Sequence, residues 1–358
     1  APFTRAVFTE EMRKTHTILA PQMSPIHFGL LEEAFRSSGY KLEVLPSVSK
    51  SAVEEGLKHV NNDACYPSIM IAGQLLEALK SGKYDLNSTS VIISQTGGGC
   101  RASNYIGFLR KALKDAGLSH VPVISLNALG LEKNPGFRIT PTLVHRIIMA
   151  LVYGDLLMRA LYRVRPYEKT KGASDSLCES WISKCRDSVR NGKIGLFKKN
   201  VRDMVRDFSS IETTGERKPR VGIVGEILVK FHPDGNNRIV ELLEKEGAEA
   251  VVPDLTDFFL YCAYSLIYRR KYLNGGLIGS TISKLVIAVG ELYRSEMKKC
   301  LEKRGKFGSP RTIYQLAESA QDILSLGHQT GEGWFLTAEM VVRIESGVVN
   351  GLCVQPVA

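Results

Sequence analysis

Two cysteines stand in sequence surroundings where a thiolate could hold a metal. Cys65 lies in the run NDACYP (residues 62–67), at the head of a helical pattern that extends to about residue 79. Cys100 lies in TGGGCR (residues 96–101), between a predicted strand at 91–95 and a predicted helix at 103–116. At such a junction, backbone N–H groups and the helix dipole converge on one point and favour the thiolate form of a cysteine. Both cysteines are therefore predicted to be metal ligands.

The three glycines before Cys100 have two functional interpretations. Gly97, Gly98 and Gly99 carry no side chains, so the loop could approach a metal cluster closely and wrap it. The same loop could instead cradle a phosphate of CoA or of a nucleotide. It matches neither G-x-G-x-x-G nor G-x-x-x-x-G-K-[ST], so both nucleotide-binding fingerprints are absent.

Further polar residues follow predicted strands in the second half of the chain. Ligands of open parallel sheets bind beyond the carboxyl ends of the strands. Glu226 follows the strand predicted at 221–225, and His328 and Glu332 lie in the glycine-bearing loop 328–333. These three residues are candidates for proton transfer. Cys353 ends the last predicted strand; alone it would more often be a core residue, but with Cys65 and Cys100 across a cleft it could complete a metal site.

The other cysteines lie in helical or apolar surroundings and are predicted to be structural: Cys178, Cys185, Cys262 and Cys300. Seven cysteines without regular spacing argue against a disulfide framework and favour a reducing compartment. Because the chain has no C-x-x-C pair, a metal site would have to gather ligands from distant segments. It also has no H-E-x-x-H pattern and no recognisable serine–histidine–aspartate arrangement, which excludes the common hydrolase classes.

The net charge of +10 allows an anionic partner or cofactor. The basic residues are dispersed, with small clusters at 159–165, 198–199 and 268–271, and no aromatic residues interleave them in a nucleic-acid-binding pattern.

No apolar run approaches the roughly 18 residues that cross a bilayer, and the first residues lack a signal-peptide pattern. We therefore expect a cytoplasmic protein with neither a nucleic-acid nor a membrane partner. The missing initiator Met and the strand at the very end suggest a piece of a longer polypeptide.

Strand and helix patterns alternate in both halves of the chain. Such alternation is typical of βαβ crossovers and parallel sheets, and the β-branched run at 91–93 fits a strand buried on both faces. We predict an α/β protein with two flavodoxin-like or Rossmann-like lobes. Residues 1–140 form the lobe that carries Cys65 and Cys100, residues 141–215 form a helical connecting segment, and residues 216–358 form the lobe that carries Cys353.

Over most of its length the chain resembles the 2-hydroxyacyl-CoA dehydratase superfamily, in its activase-related branch close to the double-cubane-cluster proteins. The matching motifs are NDACYP (62–67), QTGGGCRASNY (95–105), GE (225–226) with FHP (231–233), and GHQTGEGW (327–334). In that family two lobes hold an iron–sulfur cluster in a cleft through cysteines from separate segments. An ATP-hydrolysing activator of the actin/Hsp70-like fold, often on the same polypeptide, supplies low-potential electrons.

The resemblance implies that Cys65 and Cys100 bind an iron–sulfur cluster, of the 4Fe–4S or double-cubane type, with Cys353 as the expected third ligand. Related sequences continue into a further cysteine past the point where this chain stops, so the ligand set here is expected to be incomplete and the cluster could be absent. The implied activity is that of a dehydratase (a lyase) or of an ATP-coupled reductase component acting on an acyl-CoA or another small reducible substrate. The oligomeric state is not predicted, and a homodimer is one possibility.

Two alternatives from other functional classes also stay open. In the first, the chain is a non-catalytic lobe of a larger activator polypeptide that docks a partner. In the second, it is an α/β protein that binds CoA or a nucleotide without a metal, through the glycine loop.

Overall fold

The computed structural model of the protein describes residues 5–61, 63–95, 104–127 and 132–356. Contacts within the chain define two compact units. The first comprises Ala1–Val144, Phe231–Arg238 and Gln355–Ala358, and the second comprises His145–Lys230 and Ile239–Val354. Of residues 141–215, expected to form a helical connecting segment, residues 145–215 belong to the second unit and residues 141–144 to the first.

The first unit is built on a parallel sheet of four strands in the order β2-β1-β3-β4. Its strands are β1 (Thr17–Ala20), β2 (Leu42–Val44), β3 (Thr89–Gln95) and β4 (Val123–Asn127). The apolar runs of the two middle strands, residues 18–20 of β1 and residues 91–93 of β3, are buried on both faces and therefore do not alternate with polar residues. The helices of this unit are α1 (Glu10–Thr15), α2 (Pro25–Arg36), α3 (Lys50–His59), α4 (Tyr66–Lys80) and α5 (Tyr105–Asp115).

Helices α3 and α4 touch through their backbones. A Cβ atom added to Gly73 of α4 would lie 1.8 Å from the Ala52 carbonyl oxygen, and one added to Gly56 of α3 would lie 2.2 Å from the Ile69 carbonyl oxygen. Both distances are far below van der Waals contact, so glycine is required at each position. The close crossing fixes where α4 begins, and its N-cap residue is Cys65.

The second unit contains a parallel sheet of three strands in the order β6-β5-β7. These strands are β5 (Arg220–Gly225), β6 (Glu249–Val251) and β7 (Asn350–Val354). Its helices include most of α6 (Pro141–Val164), together with α7 (Ala173–Asn191), α8 (Ile194–Ser210), α9 (Ile227–Phe231), α10 (Ile239–Lys245), α11 (Leu255–Tyr272), α12 (Leu277–Arg304), α13 (Ile313–Gln321) and α14 (Gly333–Glu345). The core between α11, α13 and α14 includes Tyr261, Leu316, Trp334 and Phe335.

Buried charges tie α6, α11 and α12 together. The Asp155 carboxylate of α6 accepts hydrogen bonds from the backbone N–H groups of Leu255 (2.6 Å) and Thr256 (3.3 Å), which satisfies the amino end of α11. Arg294 of α12 is fully buried and lies 3.3 Å from Asp254 and 2.9 Å from Asp257. Removing one member would leave an unpaired buried charge, so the set fixes how these helices pack.

The predicted α/β fold with two parallel sheets is confirmed. The last strand was predicted with the bounds that β7 has, and the helices predicted at 51–59, 142–161 and 176–190 correspond to α3, α6 and α7 within a few residues. Within the described ranges, no helix combines the length and the apolar character needed to span a bilayer.

Candidate functional site

Two carboxyl groups lie at the amino end of the short helix α9 in the second unit. Glu226 directly follows β5, and its carboxylate accepts hydrogen bonds from the backbone N–H groups of Leu228 and Val229, both at 3.0 Å. Burial raises the pKa of Glu226, and these two N–H groups oppose the rise. The charge of Glu226 also acts on Glu332, in the loop before α14.

Glu332 is the more perturbed member of this carboxyl pair. Burial, and then the neighbouring charge of Glu226, raise the pKa of Glu332 to about 8. Its Oε2 atom is buried without a hydrogen-bond partner, and its backbone has a φ of +61°, which is uncommon for a non-glycine residue. Glu332 therefore keeps its proton at neutral pH, whereas Glu226, whose pKa is also raised by burial, accepts two backbone hydrogen bonds that stabilise its charged form.

A buried ion pair lies near the two carboxyl groups. The Lys230 Nζ atom lies 2.7 and 2.9 Å from the two carboxylate oxygens of Glu339, and both side chains are almost fully buried. The Lys230 ammonium group also lies 5.5 Å from the centre of the Phe335 ring. Burial raises the pKa of Glu339, and Lys230 opposes the rise. The pair joins α9 to α14 beside Glu226 and Glu332.

Sequence reasoning missed this ion pair, although each member leaves a signal. Lys230 interrupts the apolar run of α9, between Val229 and Phe231. Glu339 follows Phe335 by four residues and therefore falls on the buried stripe of α14. A charged residue at a position where the pattern calls for an apolar one indicates a buried polar partner, which the pattern does not identify.

Cys353 lies in β7, the strand that pairs with β5. Val224 is its partner in the parallel register, and the backbone N–H of Glu226 donates to the Val354 carbonyl oxygen at 3.0 Å. The thiol is exposed, and residual burial together with the charge of Glu339 raises its pKa. Cys353 and Glu226 thus share the carboxyl end of the second sheet. Gly225 allows this approach, because a Cβ there would lie 1.9 Å from the Val354 carbonyl oxygen.

The third predicted proton-transfer residue, His328, has a different position. Its side chain is exposed and makes no hydrogen bond or ion pair with the residues that the structure describes. Its backbone carbonyl accepts the Trp334 N–H at 2.8 Å and helps to shape the turn before α14. The structure therefore brings Glu226 and Glu332 together, but it does not place the His328 imidazole with them.

In the first unit, Cys65 is hydrogen-bonded to Tyr105. The Cys65 Sγ atom lies 3.2 Å from the Tyr105 hydroxyl oxygen, and the thiol is half-buried. Tyr105 is the last residue of the run 95–105 that also contains Cys100. Cys100 itself, and Gly97, Gly98 and Gly99, lie outside the described residues. Among the described residues, no three histidine, cysteine or acidic side chains cluster tightly enough to hold a metal ion.

The cysteines that were predicted to be structural have thiols that are hard to ionise. Cys178 and Cys185 are buried, and burial raises the pKa of Cys178 to about 12 and that of Cys185 well above its usual value. Burial and the charge of Glu332 raise the pKa of Cys262 to about 12. Half-buried Cys300 also has a raised pKa, chiefly through burial.

Comparison of the chain with protein-family models, with curated proteins and with solved structures found no match. The function is therefore inferred from the sequence motifs and from the geometry of the two sites.

Proposed function

We propose that this chain binds an iron–sulfur cluster through Cys65, Cys100 and Cys353. We propose further that it is a component of an ATP-driven dehydratase or reductase similar to the 2-hydroxyacyl-CoA dehydratases, in a reducing cytoplasm. The observation that carries the proposal is the hydrogen bond between Cys65 and Tyr105. It joins the run NDACYP to the run that contains Cys100, within one compact unit.

The described cysteines support this assignment by their accessibility. Cys65 is half-buried and Cys353 is exposed, so both thiols can be reached by iron, whereas Cys178 and Cys185 are enclosed in the core. Thiolates from separate segments are the usual ligands of iron–sulfur clusters. The Tyr105 hydroxyl could donate to the Cys65 sulfur, and hydrogen bonds to ligand sulfur raise the reduction potential of a cluster. A bound cluster would supply single electrons at low potential.

The carboxyl pair of the second unit supports proton transfer. Glu332 holds a proton at neutral pH in a buried setting, and beside it Glu226 accepts two backbone N–H hydrogen bonds that favour its carboxylate form. In this proposal Glu332 is the acid and Glu226 is the base. The substrate in this proposal is an acyl-CoA or another small reducible molecule, and the electrons come from an ATP-hydrolysing activator.

The proposal is tested by the iron and acid-labile sulfide content of protein that has been purified and reconstituted without oxygen. The wild-type chain is expected to take up iron in stoichiometric amounts, and Cys65→Ala is expected to lose it. Cys300→Ala is the matched control, since Cys300 is also half-buried and lies in a helix. Tyr105→Phe should keep the iron and lower the midpoint potential of the cluster. A wild-type protein without iron, or a Cys65→Ala variant with the iron content of wild type, would overturn the proposal.

A second candidate function, partner docking, is favoured by one exposed surface. Helix α12 carries apolar side chains in solvent at intervals of four, three and seven residues: Ile278, Ile282, Leu285 and Leu292. Ile278 alone is 77% exposed. A stripe with this spacing is typical of a helix that packs against another protein. The preceding end of α11 adds Arg269, Arg270 and Lys271, which suit an activator with an acidic surface.

Charged substitutions on this stripe separate docking from cluster binding. Ile278→Asp with Leu285→Asp is expected to abolish association with the activator and to leave the iron content unchanged. Leu242→Asp, at an exposed apolar position of α10, is the control. If the double variant associates with the activator as the control does, α12 is not the docking surface.

A further inference from the structure

Two neighbouring cavities lie in the second unit, the smaller beside the start of β5 and the larger along the edge strand β6. Their volumes are about 340 and 440 Å³, and they share the lining cations Arg163, Arg220 and Lys306. Arg220 begins β5, and Glu249, which lines the larger cavity, begins β6. Neither Glu226, Glu332 nor Cys353 lines either cavity. They are therefore separate from the carboxyl pair described above.

The lining of the two cavities is strongly basic. Besides the three shared cations, the smaller cavity is lined by Arg217 and Lys218, and the larger one by Arg159, Arg311 and Arg343. Among the described residues, these eight cations face two lining carboxylates, those of Glu216 and Glu249. Clefts lined by one sign of charge concentrate ions of the opposite sign.

Ion pairs within the chain neutralise part of this charge. Glu249 is buried and contacts Arg163 and Arg220, and it also accepts a hydrogen bond from the Tyr167 hydroxyl at 2.9 Å. Glu216 lies 4.0 Å from Lys218, and outside the lining Asp254 lies 2.5 Å from Arg159 and Glu345 lies 2.5 Å from Arg311. Within the part of the chain that the structure describes, the remaining cations without an ion pair are Arg217, Lys306 and Arg343.

Several donors of the larger cavity lack acceptors. The Nε atoms of Arg159 and Arg343 are buried without a hydrogen-bond partner. Burial, and then the charge of Arg163, lower the pKa of Lys306. Burial and the charge of Arg159 lower the pKa of Arg343, although the carboxyl groups of Glu339, Asp254 and Asp257 act in the opposite direction. Buried donors without acceptors and repelling like charges are both unfavourable. An anion with several oxygen acceptors would relieve both.

We propose that the two cavities form one binding site for a small molecule that carries two or more phosphate groups. Arginine presents a planar fork of donors that matches phosphate oxygens, and volumes of this size are usual for small-molecule sites. Two cavities joined by shared cations can receive phosphates at two positions. The loop after α12 contributes Gly305, Lys306, Phe307, Gly308 and Ser309 to the lining of the larger cavity, and the Ser309 hydroxyl donates to Glu302 at 3.0 Å. Because these cations line cavities rather than an extended surface, they can surround a small ligand more readily than they can follow the backbone of a nucleic acid.

The test is calorimetric titration of the whole chain, without iron, with tripolyphosphate, ATP and inorganic phosphate at about 0.15 M salt. Tripolyphosphate and ATP are expected to bind at one site, and inorganic phosphate at least about tenfold more weakly. Equal affinities for tripolyphosphate and ATP would show that the site recognises the phosphate groups alone. Tighter binding of ATP would show that the protein also contacts its base or sugar. Either result supports the site.

Matched charge removal distinguishes this site from general attraction to a basic protein. Arg217→Gln with Lys306→Gln removes two lining cations that have no ion pair, and it is expected to weaken tripolyphosphate binding about tenfold or more. Lys193→Gln with Lys198→Gln removes two exposed cations of the same unit outside the cavities. Equal loss in both double variants, no binding of tripolyphosphate, or tighter binding of a single-stranded oligonucleotide would each overturn the proposal. Because no iron is present, these results do not depend on the cluster proposal.

Discussion

The carboxyl groups of Glu226 and Glu332 lie at the amino end of one short helix, although the two residues come from distant segments of the chain. The helix supplies the N–H groups of Leu228 and Val229 to Glu226 and the N–H group of Ile227 to Glu332, whose Oε2 atom is buried without a hydrogen-bond partner. Burial raises the pKa of both carboxyl groups, that of Glu332 to about 8, and so makes the stability of the second unit depend on pH.

Replacing Glu332 by Gln should change this pH dependence. Because the pKa of Glu332 is raised to about 8, the folded protein binds one proton more than the unfolded chain between about pH 4.5 and about pH 8. Stability is therefore expected to fall as the pH rises through that window, by up to about 1.4 kcal/mol for each unit of pKa shift. Glu332→Gln removes the contribution of Glu332 to this slope and should raise the melting temperature most at mildly alkaline pH, while Asp257, whose pKa burial raises to about 7, keeps its own contribution. Thermal unfolding over a pH series measures the effect.

The control for this experiment is Glu318→Gln, at an exposed position of α13. It should leave the pH profile of unfolding as it is in the wild type. A Glu332→Gln variant with the wild-type slope would mean that Glu332 is ionised at neutral pH and that the acid–base assignment is wrong.

The buried pair of Lys230 and Glu339 should be sensitive to removal of one partner. Lys230→Met leaves the Glu339 carboxylate buried without a counter-ion, and we expect a loss of about 3–5 kcal/mol in the free energy of unfolding. Lys230→Met combined with Glu339→Leu removes both charges and should recover most of that loss. Urea denaturation of the single and double variants measures the difference.

An exposed ion pair provides the comparison. Arg202 and Glu296 lie 2.9 Å apart, with half of the arginine side chain in solvent. Arg202→Ala should lower the free energy of unfolding far less than Lys230→Met does, because solvent screens an exposed ion pair. If Lys230→Met costs no more than Arg202→Ala, the buried pair does not hold α9 against α14.

The sequence predicts best what depends on neighbours along the chain. The strand at 350–354 and the helices at 51–59 and 176–190 are visible because apolar periodicity is a local property. The contact of Lys230 with Glu339 joins residues 109 positions apart, and no local pattern could pair them. Glu226 was selected because it follows a strand of a parallel sheet, and Glu332 and His328 were selected because they lie in the glycine-bearing loop before α14. The orientation of the His328 side chain depends on a turn that the sequence pattern does not specify.

Thiol labelling should order the described cysteines by their surroundings. With iodoacetamide at mildly alkaline pH, Cys353 is expected to react first and Cys65 next, because their thiols are exposed and half-buried. Cys178 and Cys185 should stay unmodified until the protein unfolds, since burial blocks access and raises both thiol pKa values. Mass spectrometry of peptides from timed samples gives the rates. Labelling of Cys185 as fast as Cys353 would contradict the packing of α7.

Two glycines inside helices should respond oppositely to alanine. Gly73→Ala places a methyl group against the Ala52 carbonyl, so we expect a loss of about 1–3 kcal/mol or more. Gly195→Ala, in α8, meets no atom within 4 Å and should stabilise the protein by about 0.5–1 kcal/mol. Thermal or urea unfolding compares the two. A neutral Gly73→Ala would show that α3 and α4 can move apart without loss.

The contact of α3 and α4 through glycines leaves no layer of side chains between their backbones at the crossing. Side chains can change rotamer and absorb a small displacement, but carbonyl groups against Cα atoms cannot. The two helices should therefore shift as one rigid body when either is pushed. Cys65 lies at the start of α4, so a group bound to its sulfur would act on both helices together. Amide hydrogen exchange along α3 and α4 would then slow to the same degree, as in a single cooperative unit.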